Sequence, residues 1–95
     1  IADLEINTAF KTVIRAGKQI ELTAKEFALL EFLVRRNGRV SSRSVIAEKG
    51  WDINFDTGTN VVDVYINFLR RKIDRNFEPK LIHTKQGMGY YLKVL

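Results

Sequence analysis

The stretch NVVDVYINFLRRKI, Asn60 to Ile73, decides the fold. On a helix, at about 100° per residue, Val62, Ile66, Leu69 and Ile73 share one narrow arc and face a core. The opposite arc carries Val64, Asn67, Phe68 and Arg71, with Arg70 and Lys72 beside it. An ordinary surface helix is uniformly polar on that side. A small apolar residue, an amide, an aromatic ring and an arginine side by side suit a DNA major groove. Thymine methyls accept apolar contact, base edges pair with amides or arginine, and phosphates attract cations. A helix packed on both sides inside a small domain would carry the same residues. This stretch alone leaves both open.

Moving outward resolves the choice. Upstream, Gly50 to Thr59 has no periodicity and contains Asp52, Asn54, Asp56 and Gly58. It is predicted to be a loop, with Thr59 or Asn60 capping the helix that follows. Ser42 is a good N-cap for a short helix from Arg43 to about Lys49, with Val45 and Ile46 inward. Further upstream, Thr23-Ala24-Lys25-Glu26 forms a capping box. Phe27, Leu30, Leu33 and Val34 then recur at helical spacing, widened by Leu29 and Phe32, until Asn37-Gly38 stops the helix. Leu4 and Ile6 alternate with polar neighbours. Thr12–Arg15 and Gln19–Leu22 flank Ala16-Gly17-Lys18 as a hairpin.

Downstream, Asp74 to Pro79 is a connector. Leu81–Lys85 and Tyr90–Val94 are β-rich and enclose Gln86-Gly87-Met88-Gly89. That predicts a hairpin whose tip carries Lys85 and Gln86, both able to reach a phosphate or a minor groove. Gly87 and Gly89 serve the turn, since no helix follows to make a phosphate loop. The predicted fold is α+β: a winged helix-turn-helix with an N-terminal antiparallel sheet, three helices and a C-terminal β-hairpin wing. In that architecture helix 60–73 enters the major groove. Wing 82–92 meets the backbone or the adjacent minor groove.

Charge agrees. The 95 residues carry a net +5, and residues 60–95 hold seven Lys/Arg against three Asp/Glu, whereas residues 1–59 hold nine against eight. A basic C-terminal third points to a polyanion. A length of 95 residues fits one domain, 1–95, with a modest core. There is no cysteine, so disulfides and thiolate metal sites are excluded. No apolar run approaches the ~20 residues that span a bilayer. The chain opens at Ile1 without a methionine and is expected to be a piece of a longer protein.

Four motifs in order resemble the OmpR/PhoB-type response-regulator output domain. They are Leu22-Thr23-Ala24-Lys25-Glu26-Phe27-Ala28-Leu29-Leu30, then Val40-Ser41-Ser42-Arg43, then Val61-Val62-Asp63-Val64 with Leu69-Arg70-Arg71-Lys72-Ile73. The last is Ile82-His83-Thr84 followed by Gly87-Met88-Gly89-Tyr90. Trp51-Asp52-Ile53-Asn54-Phe55-Asp56 with Thr59 to Val64 is most similar to the heavy-metal-responsive branch, the copper and silver regulators. The resemblance implies a cytoplasmic, bacterial two-component transcription factor. A receiver domain, absent from this chain, takes phosphate from a sensor kinase and dimerises. Two output domains then bind double-stranded DNA head-to-tail on a direct repeat, and loop 50–59 meets RNA polymerase. No cofactor is implied, and any metal signal is sensed by the kinase.

Carried over by position, Val64 and Phe68 face bases, while Asn60, Tyr65, Asn67 and Arg70 meet phosphate. Trp51 matches a tryptophan whose indole N–H reaches the backbone, and Thr84, Lys85 and Gln86 match wing contacts. Three departures stand out. The family usually has a cation at Asn67 or Phe68. It commonly has arginine where Gln86 stands. An apolar residue usually occupies the place of Gly50, whose presence should loosen the end of the second helix. Phe68 cannot hydrogen-bond a base edge, so it either meets a thymine methyl or packs on Tyr65.

Among single residues, Arg71 points outward toward phosphate or groove. Arg70 lies at the side, as a phosphate contact or in an internal salt bridge. Asp63 is expected to favour the helix dipole and hold an arginine. Trp51 either packs on the core edge or offers its N–H to phosphate. His83, the only histidine, is not a metal site. A competing function is a winged-helix protein-interaction module, with Phe68, Val64 and Tyr65 as an apolar patch for RNA polymerase or another partner. An enzyme is disfavoured, because no nucleophile–base pair stands at a recognisable spacing.

Overall fold

The computed structural model describes residues 2–51 and 60–94. Strands β1 (Leu4–Asn7), β2 (Thr12–Arg15) and β3 (Lys18–Ile20) form an antiparallel sheet in chain order. The β2–β3 turn is Ala16-Gly17, both left-handed at φ 54° and 79°. Two such residues twist the chain as the flanking strands require. β3 stops at Ile20, two residues short of the expected end at Leu22. Alternation turns Val13 and Arg15 inward, and Arg15 is wholly buried.

Helix α1 (Ala24–Arg35) starts on the expected capping box. The Glu26 amide donates to Thr23 Oγ1 at 3.2 Å, and the Thr23 amide donates to Glu26 Oε1 at 2.9 Å. Phe27, Leu29, Leu30 and Leu33 are buried, with Phe32 and Val34 packed at the core's margin. Asn37 and Gly38 follow in left-handed conformation. In helix α2 (Arg43–Val45), Ser42 Oγ caps by accepting from the Val45 amide.

The expected continuation to Lys49 is helical but widens into a π turn, Ile46–Gly50. Ile46 and Ala47 are buried, and Gly50 packs on Phe32, where a Cβ would make ordinary contact at 3.6 Å from Phe32 Cβ and Cγ.

Helix α3 (Val61–Ile73) has the expected partition. Val62, Ile66, Leu69 and Ile73 are all fully buried. Of its two expected caps, only Asn60 lies within the described residues. Asn60 makes no side-chain cap hydrogen bond. Its φ −106° and ψ 6° are not the extended N-cap geometry that aims the side chain at the first amides. Thr59 lies outside the described residues, as do positions 52–58 of the expected loop.

Strands β4 (Ile82–Lys85) and β5 (Gly89–Leu92) make the wing, with Gly89 paired to Lys85 rather than left in the turn. The link after α1 pairs with the wing: the Ser41 amide donates to Tyr90 O, and the Tyr90 amide to Ser41 O. No helix among the described residues is long and apolar enough to cross a membrane.

A buried polar knot joins the sheet to the end of α3. Arg15 Nε donates to Asp3 at 2.6 Å, and Nη1 reaches the Ile73 carbonyl and Asp74 Oδ1. Nη2 reaches the Pro79 carbonyl. Asp74 accepts in turn from the Leu81 and Ile82 amides at 3.0 and 2.9 Å. Among the described residues no buried side-chain polar atom lacks a partner, as burial requires.

Candidate nucleic-acid interface

α3 presents its outer face between the end of the π turn and the wing. Asn60, Val64, Asn67 and Arg71 are exposed on it, and Phe68 is half-buried. The Phe68 ring stands edge-on to Tyr65, centroids 5.3 Å apart, and Tyr65 stands edge-on to Trp51 at 5.2 Å. The Arg71 guanidinium lies over the Phe68 ring at 5.7 Å. Phe68 therefore packs on Tyr65, one of its two expected fates, while remaining part of the outer surface.

Three expected contacts have internal partners. The Trp51 indole N–H donates to the Lys25 carbonyl at 2.8 Å, which ties the end of the π turn to the start of α1. Of its two expected roles, the core-edge one is the one this geometry satisfies. Arg70 Nη2 donates to Thr84 Oγ1 at 2.7 Å, and its guanidinium lies over the Tyr90 ring at 5.7 Å. Its internal partner is a hydroxyl rather than a carboxylate. Arg70 and Thr84 thus join α3 to the wing. Lys85 and Gln86 are exposed at the wing's tip, with Met88 beside them. His83 Nε2 lies 2.8 Å from the Lys93 carbonyl, and its ring stacks on Tyr91.

Asp63 holds an arginine, as expected, and the partner is Arg43 of α2 at 2.8 Å. The same carboxylate oxygen accepts from the Tyr90 hydroxyl of the wing. Burial pushes the Asp63 carboxyl up. Hydrogen bonds from Arg43 and Tyr90, with the Arg43 charge, outweigh it and leave the group below its usual range. Burial and the Asp63 carboxylate raise the Tyr90 hydroxyl above its ordinary value. For Glu26, burial also pushes up, but Lys72 Nζ at 2.6 Å and the Thr23 amide hold the group below the usual range. Sequence reasoning missed Arg43, Tyr90 and Lys72, because their partners come from other elements. The signal that existed was Tyr90 alternating inward with Leu92.

Val64 and Phe68 can meet apolar base edges, Asn67 can hydrogen-bond, Arg71 adds a donor beside Phe68, and Lys85 and Gln86 offer donors at the wing's tip. Arg43, Asp63, Arg70, Thr84 and Tyr90 fix the angle between α2, α3 and the wing.

Comparison with known proteins agrees with this geometry. The family described as "Transcriptional regulatory protein, C terminal" matches residues 17–92. Transcriptional regulatory protein PcoR of Escherichia coli is 53% identical over 94 residues, covering 99% of this chain and 42% of that protein. Transcriptional regulatory protein CusR of Escherichia coli K12 is 52% identical, covering 99% and 41%. The chain thus spans about two fifths of these relatives' length. The DNA-binding domain of Klebsiella pneumoniae RstA, solved in complex with the RstA box, superposes with a TM-score of 0.83 at 27% identity, over 95% of this chain and 90% of that one. The winged helix, its partitioned third helix and these matches together place the chain in the family of OmpR/PhoB-type C-terminal output domains of response regulators.

Proposed function

We propose that this chain is the effector domain of a two-component transcriptional regulator and binds double-stranded DNA in a sequence-specific way. The observation that carries this is the partition of α3. Every inward residue is fully buried, while Val64, Asn67, Phe68 and Arg71 face outward beside a wing that Arg70 and Asp63 hold in place. α3 reads the major groove through Val64 and Phe68 on apolar base edges, with Asn60, Tyr65, Asn67 and Arg71 toward phosphate or groove. Lys85 and Gln86 of the wing meet the backbone or minor groove. Trp51, Arg70 and Thr84 act by holding these elements, their polar groups being engaged within the chain.

Family membership supports a wider reading of the whole regulator. A receiver domain outside this chain, phosphorylated by a sensor kinase, brings two such domains head-to-tail onto a direct repeat in the bacterial cytoplasm. Residues 50–59 meet RNA polymerase. The signal belongs to the heavy-metal class, and this domain needs no cofactor.

The test is selection of bound duplexes from a random pool at two salt concentrations. An enriched direct repeat, with half-site centres about one helical turn apart, supports the proposal. Phe68→Arg should then shift preference at one base position. Binding that ignores both sequence and salt would overturn it.

A further inference from the structure

We infer that the duplex interface extends beyond the end of the recognition helix, where Arg75 and Arg71 form a seat for one DNA backbone phosphate. This rests on the DNA-binding proposal above. A groove of about 460 Å³ runs along the C-terminal part of α3, lined by Asn67, Arg70, Arg71, Asp74, Arg75, Lys80 and Ile82. Four of these seven are cations.

The groove's negative groups are spent. The buried Asp74 carboxylate faces Arg15 and accepts from the Leu81 and Ile82 amides. The carbonyls at the end of α3 would carry partial negative charge into the groove. Lys80 is engaged there: its ammonium donates to the carbonyls of the C-cap Asp74 and of Arg75 and Phe77 in the turn that follows, and pairs with Glu78 at 3.0 Å. Arg70 is held by Thr84. Arg71 and Arg75, both exposed, are left to supply the groove's outward positive charge.

Asn67 and Arg71 fall at i and i+4 on the outer face of α3, and Arg75, just past the Asp74 C-cap, lines the same groove. The groove thus carries the outer face of α3 on past Ile73 to Arg75. A helix whose outer face lies in the major groove brings its far end to the flanking backbone, where guanidinium forks match phosphate oxygens.

The test is a scan in which single phosphates of the selected duplex are replaced by neutral methylphosphonates. It is run on the wild-type chain, Arg75→Ala, Arg71→Ala and Lys18→Ala, an exposed cation of the first sheet. Arg75→Ala should weaken binding about tenfold and lower the slope of log K against log salt by about 0.9. One methylphosphonate should weaken the wild type while leaving Arg75→Ala unaffected, and Arg71→Ala should share that position. Lys18→Ala should behave as wild type. If the wild type binds with steep salt dependence but no phosphate position depends on Arg75, the seat is overturned and the DNA-binding proposal stands. If the wild type itself shows no salt-dependent duplex binding, the DNA-binding proposal falls and the seat with it. Circular dichroism of Arg75→Ala should be native, since its side chain is exposed; a weakened binder that has lost its fold would also overturn the assignment.

Discussion

Arg15 and Asp74 meet at 3.2 Å in the interior although 59 positions separate them. One comes from the second strand, the other from the cap of the recognition helix. Removing one partner of a buried pair leaves the other charge uncompensated. Arg15→Met should cost about 3–5 kcal/mol of stability, read from urea denaturation. Arg15→Lys should recover little, because one ammonium cannot reach Asp3, Ile73, Asp74 and Pro79 at once.

Asp63 and Glu26 both sit below their ordinary values of 3.8 and 4.5. A depressed carboxylate stabilises the fold above its unfolded value, and that stability is lost as pH falls through the folded value. Melting temperature should therefore decline from about pH 4.5 downward. Asp63→Asn should flatten part of that decline. Tyr90 is raised above 10.0, so its contribution is present below pH 10 and is lost on the alkaline side as pH climbs through the raised value. Tyr90→Phe should remove the alkaline loss in a thermal-melt series.

Gly89 has φ +142°, and a Cβ there would lie 2.0 Å from the Ser41 carbonyl oxygen. Gly87, at φ +74°, has nothing within 4 Å of the same position. Gly87→Ala should cost only the left-handed strain of about 1–2 kcal/mol. Gly89→Ala must also break the Ser41–Tyr90 pairing, so it should destabilise more. It should also weaken duplex binding, which denaturation and a binding titration on the same two variants would compare.

Thr84→Val removes the acceptor of Arg70 while keeping the side chain's shape. Stability should change by no more than about 1.5 kcal/mol. Hydroxyl-radical footprints on a bound duplex should lose protection on the wing's side and keep it where α3 lies. Uniform loss across the footprint would contradict the tethering role.

The sequence made legible whatever depends on residues a few positions apart. The arc Val62, Ile66, Leu69, Ile73, the Thr23–Glu26 capping box, the Ser42 cap and the Ala16-Gly17 turn all emerge from local spacing and recur in the structure. What was hidden depends on distant partners. Alternation alone would turn Arg15 inward with Val13, but nothing near it announces Asp74 as the reason. The π turn at Ile46–Gly50 ends where Gly50 packs on Phe32 of α1, a contact that nothing in the local sequence announces. Trp51 and Arg70 carried two expected roles each. Their partners, the Lys25 carbonyl and the Thr84 hydroxyl, lie 26 and 14 positions away.

The division of α3 into a sealed side and an open side also bears on how such a domain changes over generations. Val62, Ile66, Leu69 and Ile73 contribute burial, whereas Val64, Asn67 and Arg71 contribute none of the core. Exposed positions usually tolerate replacement within about 0.5 kcal/mol. If these positions read DNA as proposed, substitutions that retarget them therefore leave the folding nearly untouched. Duplicated copies could then diverge in what they bind long before they diverge in shape.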